Sequence, residues 1–295
     1  MILETATTLA DNYDLDGLTK TGWYIVDTPT NGPGAEQYFI QINRAHLGTY
    51  TRIMQIAYEE DGGSIHVRSF DSSGAWSPWV NLSSTASVIQ SYTSTDTWTK
   101  PVGLVEVEVE VVAGGGAGGG GAITGASQIS IGGGGGSGGV SKKTIAASAL
   151  GATETVTIGA GGTGVAGATG NAGGNSSFGT HATTVGGSGG ATLTAGNADG
   201  TAAAGAGGTA ASGDINSTGL HGFSGLRLTE TVYFVGTGGG NDYGGGGEPP
   251  TTSAAGNAGT GNGTGGSGGL NLASQGAAVA GGAGTVGRVI VTEKF

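Results

Sequence analysis

The chain has 295 residues, of which 68 are glycine and none is cysteine, and its formal net charge is −11. Disulfides and cysteine-based zinc sites are excluded. Six prolines are too few for a collagen triple helix. Ten basic residues spread along the chain cannot supply the cationic patch that nucleic acid or a polybasic membrane anchor requires. Met1-Ile2-Leu3-Glu4-Thr5 lacks the basic and apolar regions of a signal peptide. No apolar run approaches the roughly 18 residues of a transmembrane helix, so membrane insertion is not expected.

The predicted elements begin with a short turn at Leu15-Asp16-Gly17-Leu18 and a strand at Gly22-Trp23-Tyr24-Ile25-Val26. Thr30-Asn31-Gly32-Pro33-Gly34 reads as a turn cluster. Residues 37–42 and 50–58 alternate with the period of a strand. Asp61-Gly62-Gly63 joins the second of these to a strand at 64–70. Asp71-Ser72-Ser73-Gly74 makes another hairpin leading into Ala75-Trp76-Ser77-Pro78-Trp79-Val80.

The composition changes near residue 100. Residues 113–287 hold almost all of the glycine and few charges. Two domains follow, at 1–92 and 93–295. Val105 to Val111 alternates valine with glutamate, and Thr155-Val156-Thr157-Ile158 and Arg288-Val289-Ile290-Val291-Thr292 echo it. The last of these should return to pair with the first. Within the tract glycine recurs at every third position: Gly161, Gly164, Gly167, Gly170 and Gly173; Gly219, Gly222 and Gly225; Gly281, Gly284 and Gly287; and Gly256, Gly259, Gly265 and Gly268, with Asn262 as the one miss. Three residues per turn is polyproline II geometry, in which every N–H and C=O points outward. Columns packed side by side could then bond to one another, with glycine permitting close approach. A flexible linker is the rival reading, but isolated aromatics such as Phe178, Phe223 and Tyr243 argue against it. The fold class is therefore all-β: a small β domain, then β-strands with packed polyglycine II segments.

Two resemblances add to this. Asp14 to Leu18, Gly22-Trp23-Tyr24, the strand at 52–55 and Trp76-Ser77-Pro78-Trp79 resemble the knob domains of R-type pyocin and phage tail fibres, over about 12–82. Thr97 to Pro101, the valine-glutamate strand, Ala113 to Gly121, Thr157 to Gly162, Gly174 to Gly179 and Gly287 to Val291 resemble the glycine-rich domain at the C-terminus of many phage tail fibres. The tract style is also similar, more loosely, to T-even-type adhesins, in which loops between glycine columns contact the host. These resemblances imply a virion protein at the distal end of a tail fibre, binding a bacterial surface receptor (lipopolysaccharide, an outer-membrane protein or a pilus). They imply a homotrimer contacting other fibre or baseplate proteins; the adhesin comparison instead permits a monomeric tip.

No catalytic constellation stands out, and no cofactor or metal is expected. Gly136 to Thr144 lacks the glycine and helix of a phosphate loop. The sparse carboxylates Glu154, Asp199, Asp214, Glu230, Asp242 and Glu248 form no evident glycosidase pair. A glycan depolymerase and a purely structural segment are the alternatives to an adhesin. Glu106, Glu108 and Glu110 share a strand face, either solvated or a cation site between chains. Trp23, Trp76 and Trp79 could stack on a sugar, core packing being the plainer role. The receptor-contacting residues are expected to be His221, Phe223, Asn241, Asp242 and Tyr243, which fall between glycine runs; packing plugs at segment ends are the competing role. Alanine at 241–243 should then weaken binding and leave melting unchanged.

Overall fold

The computed structural model describes residues 6–10, 12–34, 36–47, 50–60, 64–70, 74–82 and 87–295. The chain divides into two compact units, 1–86 and 87–294. Both are built from strands, with two single turns of 3₁₀-helix among the described residues.

The first unit is one sheet ordered Thr7–Thr8, Gly22–Val26, Tyr38–Leu47, Tyr50–Glu59, Ile65–Phe70 and Val80–Asn81. Its first pair is parallel and the others antiparallel. Strand alternation turns Ile40, Ile42, Ile53 and Ala57 onto one face, where they pack with Leu15, Leu18, Val26 and Tyr38. Buried Gln55 closes the 3₁₀ turn Leu15–Gly17 onto the sheet, donating to the carbonyls of Leu15 and Leu18 at 2.8 Å each. The expected turn at 61–63, that at 71–74 except for Gly74, and Met1 to Thr5 lie outside the described residues. The expected strand at 75–80 shrinks to a single Phe70–Trp76 bridge and the pair Val80–Asn81. Pro78 lies between them and has no N–H to offer a ladder.

In the second unit, one sheet runs Ile215–Ser217, Val140–Ala146, Glu106–Val112, Arg288–Lys294, Ser87–Tyr92. The C-terminal strand does return to Glu106–Val112. Ser87–Tyr92 pairs with the other edge of Arg288–Lys294, and the unit boundary falls at 86/87, beside the expected 92/93. A second sheet holds Ala182–Thr184, Ser176–Phe178, Thr153–Thr157 and Asp96–Thr99. Between them lies a core of Trp98, Val107, Val109, Val111, Val156, Phe178, Val289 and Val291, with Trp98 and Phe178 edge to face at 5.5 Å.

The strands of this sandwich run on into glycine columns, and the main chain of 113–121 shows how the columns cohere. Ala113, Gly116 and Gly119 donate to Gly139, Gly136 and Gly133. Gly114, Ala117 and Gly120 donate to Gly174, Asn171 and Ala168. Gly115, Gly118 and Gly121 donate to Thr285, Gly282 and Val279. Carbonyls along the same column accept from Gly187 and Gly190, from Gly162, and from Gly266 and Gly269. The donors thus rotate through three neighbours with a period of three, and the acceptors face three more. The column 132–139 is surrounded likewise, donating to 263–269, 185–191 and 220–223. Residues 111–121, 129–139 and 263–271 are continuously buried. At about 3.1 Å per residue, 113–121 spans roughly 28 Å.

The glycine phase has the meaning the sequence suggested. Gly219 and Gly222 face the carbonyls of Ser137 and Gly134, and Gly281 and Gly284 face those of Gly118 and Gly115. Two of the tracts fold back on themselves. Gly167, at φ +66, turns the chain between Gly164 and Gly170. Gly261 and Gly263, at φ +80 and +73, flank Asn262, so the missed position is the turn between antiparallel columns.

At Gly118 a Cβ would overlap the Ser267 carbonyl, whereas nothing lies near Gly276. We predict that Gly118→Ala destabilises the unit by about 3 kcal/mol or more, while Gly276→Ala stays within about 1 kcal/mol of the parent. Urea unfolding of the two variants checks this; equal stabilities would contradict the column packing.

Candidate functional site

The column 113–121 leads away from the sandwich to a second apolar cluster. There Ile129–Gly132 pairs with Thr192–Gly196 and Leu270–Asn271. A neighbouring sheet holds Gly200–Ala202, Gly225–Arg227 and Tyr233–Phe234. Ile129, Ile131, Ala202 and Leu270 are buried between them, with Leu193, Tyr233, Val235 and Leu272 against the edge.

Side-chain bonds to main chain hold the loops at this end. Asn271 Nδ2 donates to Ala122 O and Ala277 O at 2.9 and 2.8 Å. Ser130 Oγ accepts from Ala122 N and donates to Leu193 O. Buried Arg227 is the main tie. Its Nε donates to Ala198 O, and its Nη1 donates to Ile129 O and Thr194 O, all within 2.7–2.8 Å. Gly196 and Gly200 lie against its guanidinium, where a side chain would collide at Gly196. Thr229 Oγ1 accepts from the N–H groups of Thr231 and Val232 and fixes the hairpin tip.

What these ties hold in place is a surface of loops. A depression of about 420 Å³ is lined by Ala126, Glu230, Thr231, Tyr233, Leu272 and Ala273. Ile123, Leu228, Val232 and Phe234 are exposed around it, Phe234 by 66%. Apolar side chains raised on a rigid frame, with one carboxylate among them, suit contact with another surface. Among the described residues no group of three or more His, Asp or Glu is placed to hold a metal ion.

The five residues expected from the sequence are not brought together. His221 and Phe223 lie on the flank of the column 219–223. Phe223 is 69% exposed, while its N–H and C=O bond to Thr237 and Gly134. Asn241, Asp242 and Tyr243 turn the chain at the sandwich end. Asn241 Nδ2 donates to Asn262 O at 2.8 Å and its Oδ1 accepts from Tyr243 N at 2.9 Å. Tyr243 lies under Arg288, whose Cζ is 5.5 Å from the ring centroid. Burial first, and then the Glu110 carboxylate, hold its phenol above the ordinary tyrosine value. Asp242 is exposed and helps line a groove of about 470 Å³ with Ser217, Thr218 and Leu220. Asn241 is thus tied into the turn by its own side chain, and it lines that groove beside Asp242. The tip hairpin was visible as the alternating run Leu226-Arg227-Leu228 and Val232-Tyr233-Phe234 about a Thr-Glu-Thr turn.

Each of the three strand glutamates faces a lysine. Glu106 and Glu108 face Lys294 at 3.0 and 3.6 Å, and Glu110 faces Lys142 at 3.3 Å. The run 136–144 is a glycine column entering the strand Val140–Ala146, followed by a single 3₁₀ turn at Ala147–Ala149 and not by the α-helix a phosphate loop opens.

Residues 90–293 match the family model described as a glycine-rich domain. No curated protein matches the chain.

Two predictions follow from the turn at 241–243. Asn241→Ala should cost about 1–3 kcal/mol of stability, because the Asn262 carbonyl and the Tyr243 N–H lose their partner; thermal unfolding reads it. Tyr243 holds its proton more tightly folded than unfolded. Its contribution is therefore complete below the unfolded tyrosine pKa of about 10 and is lost as pH rises beyond it. Tyr243→Phe should be less stable than the parent at pH 8 and should lose less stability between pH 8 and 11. An identical alkaline slope would contradict the assignment.

Proposed function

This chain belongs to the glycine-rich domain family, and from that premise we propose that it is a non-enzymatic adhesin of phage tail-fibre type, acting at the distal end of the fibre. Its partner is a receptor on the bacterial surface. The first unit serves as a fibre knob, in keeping with the resemblance of residues 12–82. The observation that carries the reading is the bundle of main-chain-bonded columns. It raises the loop surface around Glu230, Tyr233 and Phe234 at one end, while the chain enters and leaves the unit through strands at the other. Such a frame supports loops without relying on their side chains.

Presented as a homotrimer, as the fibre resemblance implies, the surface would bind by avidity. Weak contacts repeated on linked copies raise overall affinity by about 10²–10⁴ when geometry permits. The apolar character of the loops supplies the contact area for each copy.

Phe234→Ala combined with Val232→Ser should weaken binding to host cells about tenfold or more, with melting within about 2 °C of the parent. Phe223→Ala, on the flank, should leave binding unchanged. The parent chain should block phage adsorption and release no oligosaccharide from the cells. Loss of binding in Phe223→Ala alone would move the contact to the flank, and released oligosaccharide would make the protein a depolymerase.

A further inference from the structure

A different kind of surface lies in the first unit. Strand pairing places Arg68 opposite Gln55, on the face that carries the core. Its guanidinium is sandwiched between two indoles, with Cζ 4.4 Å from the Trp76 ring centroid and 4.6 Å from that of Trp79. Nε donates to Gln55 Oε1 at 2.8 Å, and Nη1 meets Asp16 Oδ1 at 2.8 Å. Arg68 is only 5% exposed, and among the described residues its buried Nη2 has no hydrogen-bond partner. A buried donor of a charged group left unpaired is costly unless some other molecule supplies an acceptor.

Arg68 contributes to the lining of a depression of about 420 Å³, together with Asp16, Asn31, Trp76, Pro78 and Trp79. Its walls are fixed. Trp79 Nε1 donates to Asn31 O at 2.9 Å, and Trp76 Nε1 to Asp16 O at 3.4 Å. Asn31, in the left-handed region at φ 54, donates from Nδ2 to Asp14 Oδ1 and Asp16 Oδ2. The Asp16 side chain remains 43% exposed and can accept further bonds.

These groups define a ligand. A spare guanidinium edge asks for an oxygen acceptor, and the carboxylate beside it asks for a hydroxyl donor. Indole and proline surfaces ask for a C–H face. Asp14 and Asp16 outnumber Arg68, which disfavours an anion. We propose that this depression binds a neutral pyranose ring through two adjacent hydroxyls, one accepting from Arg68 Nη2 and the other donating to Asp16. This site is separate from the loop surface of the second unit, and it stands or falls independently of the adhesin reading.

Titration of the ¹⁵N-labelled full chain with methyl α-glucoside, methyl α-galactoside and methyl α-mannoside tests it, with glucuronate as the anionic control. At least one neutral glycoside should move the indole N–H signals of Trp76 and Trp79 saturably and leave those of Trp23 and Trp98 in place. Glucuronate should bind about tenfold more weakly or worse. Asp16→Asn should weaken binding by at least about tenfold while the signal of Trp23, in the same unit, stays native. The proposal is overturned if none of the three glycosides moves the two signals at up to about 50 mM, if glucuronate binds as well, or if folded Asp16→Asn binds like the parent. Should that variant fail to fold, the titration of the parent chain decides alone.

Discussion

The second unit depends on a main-chain hydrogen bond repeated with a rotation of one third of a turn per residue. In a β-ladder each strand bonds to two neighbours. In the column 113–121 the donors reach 133–139, 168–174 and 279–285 in turn, and the carbonyls are reached from 162, 187–190 and 266–269. Such contact is possible only where no Cβ intervenes. At Gly115, Gly116, Gly118 and Gly119 it would overlap the carbonyls of Thr264, Ser188, Ser267 and Ala191. Glycine here is selected by the distance between main chains, not by backbone dihedral freedom.

A column alone would not hold. Ordering the backbone costs about 1–2 kcal/mol per residue, and a net hydrogen bond returns about 0.5–1.5 kcal/mol. The two terms nearly cancel, so the decisive stabilisation must come from elsewhere. The apolar clusters at the two ends supply it: Trp98, Phe178 and the valines in the sandwich, and Ile129, Ile131 and Leu270 at the other end. The same chains run from one cluster through the columns to the other, so burial at the ends positions the columns. That continuity explains how a tract with few large apolar side chains has an interior at all.

Much of this architecture was legible in the sequence because its two periods are written in different residues. The valine-glutamate alternation gave Glu106–Val112 and its return partner, and the glycine phase of three gave the inward faces of the columns. The turns were harder to see. Gly167 continues the phase across a reversal, since a turn glycine and a packing glycine look alike when only residue type is read. The place of Ser87–Tyr92 is hidden because its ladder partner, Arg288–Lys294, is at the far end of the chain. The site was the least legible part. Asn241-Asp242-Tyr243 and Val232-Tyr233-Phe234 have similar composition, and only the end at which each lies separates a tied turn from an exposed loop. At the sandwich end Glu110 and Arg288 engage Tyr243; at the other end Phe234 has solvent over most of its surface.

That difference bears on how stability and recognition divide within the unit. The columns draw their cohesion from groups that every residue possesses, and the loops are tied by a few interior side chains, Arg227, Ser130 and Asn271, bonded to carbonyls and N–H groups. None of those ties uses the exposed groups of Leu228, Glu230, Val232 or Phe234. A side chain at these tip positions can change its shape or polarity without removing a bond that holds the frame, so the surface is free to be fitted to a partner. At Asn241 the same change removes bonds on which the turn depends. A contact surface confined to the loop end is therefore the arrangement in which binding can be altered at little cost to folding.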